Sequence, residues 1–220
     1  MKHIVVVGAS GYAKVVADIV EKRGEFTIAG LIDSFKPKGY EVLHYQVLGN
    51  EHDLPTLVRQ YDLTGGVLAI GDNWDRYRMV SSISNLVPEF EFLRLVHPSA
   101  CLAHDVEIGR GTVITAGAVV NSASQVGKFC IINTRASVDH DNTVGDFASL
   151  APGVTTGGNV TIGEFTAVSL GANIIHGITV GPHAVIGAGA TVVDDVPGFS
   201  VALGTPAKVV RDRKEGERYL

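Results

Sequence analysis

The chain has 220 residues, 45% of them hydrophobic and 19% charged, which is the composition of an ordinary globular protein with room for one large or two small domains. A net charge of −5 supplies no basic footprint and argues against nucleic acid as the main partner, and two cysteines cannot frame a disulfide scaffold. No signal peptide is read at the start and no run reaches the ~18 apolar residues of a membrane helix, so a cytoplasmic location without membrane insertion is expected.

From the amino terminus, His3-Ile4-Val5-Val6-Val7 predicts a short buried strand, Gly8-Ala9-Ser10-Gly11-Tyr12-Ala13 a glycine turn, and Lys14 to Arg23 a helix. Such a turn lets backbone N–H groups and the helix dipole approach a phosphate. Ser10 stands where a dinucleotide fingerprint has its second glycine, so a tight strand-to-helix turn without a ligand explains the motif equally well. A second strand, Thr27 to Ile32, ends in Asp33-Ser34, where folds of this kind contact a ribose or base. A third, Gly66 to Ile70, runs into Gly71-Asp72-Asn73, with Arg76 and Arg78 on the helix beyond. Three strand ends then converge on one crevice. Residues 1–96 therefore read as a small Rossmann-like α/β domain suited to one nucleotide, with Trp74, Tyr77 and Met79 as helix packing. His97-Pro98-Ser99-Ala100 is the joint, Pro98 biasing His97 toward extended backbone.

Residues 97–220 are organised by a period of six. Every sixth position from Leu102 to Val192 is Leu, Ile or Val, with Thr156 as the one exception. The position four residues after each of these is mostly small, as at Ala118, Ser124, Cys130, Ala136, Ala148, Ala172, Ala184 and Ala190. A glycine follows the aliphatic at Gly109, Gly127, Gly145, Gly163 and Gly181, eighteen residues apart. This is neither helical nor strand alternation; it marks a solenoid of hexapeptide repeats, three to a coil and about five coils in all, with aliphatics pointing into a triangular prism. Small residues ease the corners, and Cys130 at such a position reads as a buried structural thiol. Asp194 to Gly198 breaks the repeat, and Gly204-Thr205-Pro206-Ala207-Lys208 leads into a charged tail, Arg211 to Arg218.

An interior filled with aliphatics leaves chemistry to the outside of the prism. The best candidate is Val138-Asp139-His140-Asp141-Asn142: His140 lies two after an aliphatic and points outward, and Asn142 replaces the small corner residue. A histidine flanked by carboxylates can be held in one tautomer and made more basic, which suits a general base.

Taken together, Gly8-Ala9-Ser10-Gly11, Ala69-Ile70-Gly71-Asp72-Asn73, His97-Pro98-Ser99-Ala100, Ile131-Ile132-Asn133-Thr134, His140-Asp141 and Gly204-Thr205-Pro206-Ala207-Lys208 resemble the bacterial nucleotide-sugar acetyltransferases related to the sialic-acid O-acetyltransferases. The resemblance spans nearly the whole chain. It implies a left-handed β-helix, a homotrimer, acetyl-CoA as co-substrate in the cleft between subunits, no metal, and N-acetylation of 4-amino-4,6-dideoxy sugars linked to UDP or GDP. By the same resemblance, Ser10, Gly11 and Tyr12 contact the nucleotide-sugar phosphates, Asp33 and Ser34 the base or ribose, and Gly71 and Asp72 the neighbouring wall. His140 is the general base, Asp141 its partner, Asn133 a contact beside the sugar, and the Gly158 N–H a donor to the thioester oxygen. Ser149, Leu170 and Ala188 line the CoA track, and Lys208 reaches the CoA phosphate. Tyr12 and Ser149 stand where relatives often have histidine.

Two other enzyme readings use the same residues. An O-acetyltransferase of the sialic-acid type needs the same base and thioester. A zinc-dependent β-helix hydro-lyase would need ligands on one column, yet His104, His140 and His176 recur at thirty-six residues, two coils or about 10 Å apart, too far to share an ion. A β-helix serving only as a trimerising scaffold predicts no role for His140.

Overall fold

The computed structural model describes residues 2–219. The chain divides into two compact units, one holding the residues up to 71 together with 75–98, the other 72–74 together with the residues from 99 onward.

The first unit is a six-stranded sheet with strand order β3-β4-β2-β1-β5-β6. Its centre is β1 (Lys2–Val7), whose Ile4 to Val7 are completely buried, paired in parallel with β2 (Phe26–Ile32) on one side and β5 (Leu63–Leu68) on the other. Between β1 and β2 lies α1 (Gly11–Arg23), which buries Ala13, Val16, Ala17, Ile19 and Val20 and stops at Gly24 in a left-handed cap. The sequence does not announce the small antiparallel pair β3 (Glu41–Val42) and β4 (Tyr45–Gly49), a short 3₁₀ turn (Glu51–Asp53) or the helix α2 (Leu54–Tyr61) that follow. The chain returns through β5, begins α3 (Asn73–Leu86), and ends the unit with β6 (Glu91–Phe92) and a further short strand, Leu95–Val96. Winding runs outward from β1 through β2 to β4, then crosses to the opposite flank at β5. In an open parallel sheet, the ligand crevice lies outside the strand carboxyl ends at such a reversal.

The second unit is the expected prism, a left-handed parallel β-helix. Two-residue strands stack in register eighteen residues apart on three faces: Val113–Ile114 pairs with Ile131–Ile132 on the first, Val119–Val120 with Ser137–Val138 on the second, and Gln125–Val126 with Thr143–Val144 on the third. The aliphatic register is inside, with Ile114, Val120, Ile132, Val138, Leu150 and Ile186 at 0% exposure. Each contributes about 1.5–3 kcal/mol by burial.

The small register also faces inward, as Ala118, Ser124, Cys130, Ala136 and Ala148 are all fully buried. The corner itself is made by the residue just before: from Gly111 to Gly189, every sixth residue has positive φ, eight of the fourteen being other than glycine, Asp141 and Phe147 among them. The repeat also continues past its break at Asp194 to Gly198. With two residues fewer in the coil, Val196 still bridges to Val180, and Ser200–Gly204 joins the first face beside Val185–Ile186 before turning back as Ala207–Asp212.

Candidate active site

In the first unit, the carboxyl ends of β1, β2 and β4 are tied into one rim. Gly8 has φ +114, and a Cβ there would lie 2.6 Å from the Ala69 carbonyl oxygen, so only glycine lets the chain turn this close to the end of β5. The Ser10 side chain makes no capping hydrogen bond, the first turn of α1 holds no acidic residue, and open space surrounds the position a Gly11 Cβ would take.

Asp33 is held in place at the end of β2 by backbone N–H groups. Its Oδ2 accepts from Ala9 N (2.7 Å) and its Oδ1 from Phe35 N and Lys36 N (both 2.9 Å), so the carboxylate straps the glycine turn to the loop after β2. Asp33 N in turn donates to the Gly49 carbonyl, and Ser34 Oγ donates to Glu51 Oε2 at 2.7 Å, which joins the end of β4. Tyr12 points its hydroxyl away from solvent. Its Oη is buried without a hydrogen-bond partner among the described residues, and burial pushes the phenol well up from its ordinary value, with Arg76 opposing. Any phosphate contact from Tyr12 comes through its backbone N–H in the first helical turn. Gly71 O and Ile70 O both accept from Arg76, a fully buried guanidinium that fixes the turn after β5.

In the second unit, His140 sits on the outside of the edge between the second and third faces. Its Nδ1 lies 2.7 Å from Asp141 Oδ2, and its Nε2 has no partner among the described residues. The hydrogen bond to Asp141 holds the imidazole above its ordinary pKa, with the charge of Asp139 adding to it. Asp139 is itself kept ionised by hydrogen bonds from Asn121 Nδ2 and from the His140 N–H. One coil on, Gly158 lies against the imidazole: a Cβ there would fall 2.4 Å from Cε1 and 2.6 Å from Nε2. Its N–H has no partner among the described residues, whereas the corresponding N–H of His140 is taken by Asp139.

Beneath this turn the two exceptions to the repeat meet. Thr156, the one polar member of the aliphatic register, accepts from Asn142 Nδ2 at 2.6 Å and from Asp139 N at 3.2 Å. Asn142 Oδ1 accepts from Val160 N, and Ser124 Oγ donates to Asp139 O at 2.6 Å. The histidine turn therefore rests on a buried polar network built from Ser124, Asn142 and Thr156.

The remaining expected site residues lie elsewhere on the prism. Asn133, Leu170 and Ala188 fall on the edge between the first and second faces; Leu170 is 58% exposed, and Asn133 Oδ1 accepts from Thr134 N. Ser149 opens the first face next to the third edge, its Oγ 3.2 Å from Tyr219 Oη. Lys208, in the last strand, pairs with Asp194. A single chain thus gathers His140, Asp141 and Gly158, and holds the Asn133, Leu170 and Ala188 group on another edge.

Comparison with known proteins agrees with both halves. Residues 3–83 match the model of the PglD N-terminal domain. The chain is 32% identical over 116 residues to the UDP-N-acetylbacillosamine N-acetyltransferase of Bacillus subtilis (strain 168), and that match spans about half the length of each protein, 53% of this chain and 52% of the relative. Perosamine N-acetyltransferase from Caulobacter crescentus, solved with CoA and GDP-perosamine as a histidine-to-asparagine variant, superposes with a TM-score of 0.90 at 34% identity, over 96% of this chain and 98% of that one. The chain belongs to the bacterial nucleotide-sugar N-acetyltransferase family. A further member, the acetyltransferase domain of PglB from Neisseria gonorrhoeae, solved with acetyl coenzyme A, matches at 31% identity and TM-score 0.84, over 95% of this chain and 99% of that domain.

Against this family background, two further groups of residues come forward. Asp72 to Trp74 belong with the prism: Asn73 Nδ2 donates to the Phe165 and Thr166 carbonyls, and Tyr219 Oη donates to Asn73 Oδ1 at 2.8 Å. Trp74, expected as helix packing, instead places its ring 5.4 Å from Phe165. The second group is a column of stacked rings on the third edge, Phe129, Phe147, Phe165, His183 and Phe199, with centroids 4.6–5.1 Å apart. The eighteen-residue spacing of the first four is visible in the sequence and is the signal that could have found them. Among the described residues no group of three or more His, Cys, Asp or Glu could hold a metal ion, and no helix is long and apolar enough to cross a membrane.

Proposed function

We propose that this chain transfers acetyl from acetyl-CoA to the 4-amino group of a nucleotide-linked 4-amino-4,6-dideoxy sugar, in bacterial glycan biosynthesis and in the cytoplasm, with His140 as general base. The observation that carries the reading is the outward Nε2 of an imidazole whose other nitrogen is held by Asp141, lying directly over Gly158.

The sugar amine attacks the thioester carbonyl and His140 Nε2 takes its proton as the C–N bond forms. The Gly158 N–H donates to the oxyanion, the C–S bond breaks, and the imidazolium returns the proton to the departing thiolate. No side chain needs to be acylated. The Asp141 hydrogen bond favours the base by raising its pKa toward the working pH, and it stabilises the imidazolium in the intermediate. Ser10, Gly11 and the Tyr12 N–H receive the diphosphate at the start of α1, Asp33 and Ser34 face the ribose or base, and Gly71 and Asp72 form the wall beyond β5.

The separation of His140 from Asn133, Leu170 and Ala188 onto different prism edges supports a homotrimer, in which acetyl-CoA lies along one edge and meets the base on the neighbouring chain, with Ser149 and Lys208 as further CoA contacts. The test is incubation with acetyl-CoA and a panel of UDP-, GDP- and dTDP-linked 4-amino-4,6-dideoxy sugars, with the product treated with hydroxylamine. A hydroxylamine-stable amide with one of them is expected. A labile ester would make the enzyme an O-acetyltransferase, and no acetyl transfer to any of them would refute the reading.

A further inference from the structure

The rim of the first unit bears on which nucleobase is bound. Phe35 is 90% exposed, the most exposed large hydrophobic side chain among the described residues. It is not on a loose loop: Asp33 Oδ1 accepts from Phe35 N and Lys36 N, Asp33 Oδ2 ties the same loop to Ala9 in the glycine turn, and Lys36 Nζ sits 4.7 Å over the Tyr40 ring. The Phe35 backbone is therefore fixed just beyond the carboxyl end of β2, with its side chain open to solvent, one strand across from the α1 start that receives the diphosphate. A nucleotide anchored there extends its base toward this strand end.

Beside it stands a carboxylate that is already oriented. Ser34 Oγ donates to Glu51 Oε2 at 2.7 Å, the exposed His52 has its Nε2 3.9 Å from Oε1, the Asn50 capping box fixes the turn that bears Glu51, and the Glu51 side chain is only 16% exposed, leaving each oxygen a further lone pair. A carboxylate offers acceptors alone. Guanine presents two adjacent donors, N1–H and the N2 amino group; uracil and thymine present one N–H between two carbonyl oxygens, and adenine N1 is an acceptor. Uracil or thymine would set carbonyl oxygens against the Glu51 oxygens, an arrangement that discriminates by repulsion as well as by attraction.

We propose that Phe35 is the stacking platform for the nucleobase and that Glu51 reads its edge, which makes the nucleotide of the acceptor sugar GDP. The proposal rests on the nucleotide-sugar reading and narrows its substrate class. Stacking on an aromatic ring is worth roughly five- to a hundredfold in affinity per base, and a purine covers more of the ring than a pyrimidine does.

The experiment is calorimetric titration of the full-length protein with GDP, UDP and dTDP, for wild type, Phe35→Ala, Phe35→Tyr and Glu51→Gln. GDP is expected to bind at least tenfold tighter than UDP or dTDP. Phe35→Ala weakens GDP about tenfold and Phe35→Tyr restores it, while Glu51→Gln weakens GDP and leaves UDP within about twofold. UDP or dTDP binding as tightly as GDP would overturn the guanine assignment, and an unchanged GDP affinity in Phe35→Ala would overturn the platform. The ring's exposure makes Phe35→Ala neutral for folding, which a thermal melt checks. Because these titrations need no turnover, they decide the proposal separately from the acetyl-transfer assay: failure of every amino sugar refutes the activity, and failure of the base preference refutes only this inference.

Discussion

Replacing Gly158 with alanine is a small change with a defined collision. The added Cβ would lie 2.4 Å from His140 Cε1, 2.6 Å from Nε2 and 3.0 Å from Nδ1, where ordinary contact begins at 3.4 Å. The backbone of Gly158 is not in the left-handed region, so alanine brings no φ strain of its own. What must move is the imidazole, by about 1 Å, and with it the hydrogen bond to Asp141. A displacement of that size at a reacting group costs about a hundredfold in rate. The imidazole side chain is 57% exposed and can swing toward solvent at little cost, so stability should change by no more than about 0.5 kcal/mol. The assay is steady-state CoA release with the preferred amino sugar, alongside a thermal melt. The expected result is kcat reduced about a hundredfold with an unchanged melting temperature. A wild-type kcat would show that His140 does not act from this position, and a melting temperature lower by many degrees would make Gly158 a structural glycine.

Three other substitutions separate chemistry from scaffold. Asp141→Asn removes the group that raises the His140 pKa, so the acid limb of the kcat/KM profile should shift to lower pH; the plateau should fall too, by less than the roughly 10²–10⁴-fold that general-base catalysis contributes, as read from a pH–rate series. Thr156→Val restores the aliphatic pattern yet leaves Asn142 Nδ2 and Asp139 N without their acceptor, so a urea melt should show a loss of about 1–3 kcal/mol rather than a gain, and kcat should fall as the histidine turn loosens. Phe147→Ala opens the ring column between neighbours at 4.9 and 5.1 Å and should cost about 3 kcal/mol in the same melt, with kcat little affected below the lowered melting temperature.

The prism was legible because a period of six assigns each residue to the inside or the outside before any contact is known. His140 and Asp141 followed from the same arithmetic: one falls on an outward position and the other is its neighbour. The distribution of Asn133, Leu170 and Ala188 over a different edge was also implicit, since residues share an edge only when their spacing is close to a multiple of eighteen. Contacts across long stretches of chain were not readable. Tyr219 reaching Ser149 and Asn73 depends on how the tail folds back, and the burial of the Tyr12 hydroxyl depends on packing around α1. Asp33 shows a subtler limit. Its place at the end of β2 marks it as a ligand contact, while the three backbone N–H groups its oxygens accept, which fix the loop bearing Phe35, are not visible in the sequence. Thr156 and Asn142 are separate irregularities in the sequence, and only the folded corner brings them together, Asn142 Nδ2 donating to Thr156 Oγ1.

The central claim is that His140 removes the proton from the acceptor amine. Its most direct test is CoA release by wild type and His140→Ala side by side, with acetyl-CoA and nucleotide-sugar affinities measured for both by calorimetry. Both affinities should be kept within about threefold while kcat falls by roughly 10²–10⁴-fold. Turnover in His140→Ala at the wild-type rate, with both substrates still bound, would contradict the account.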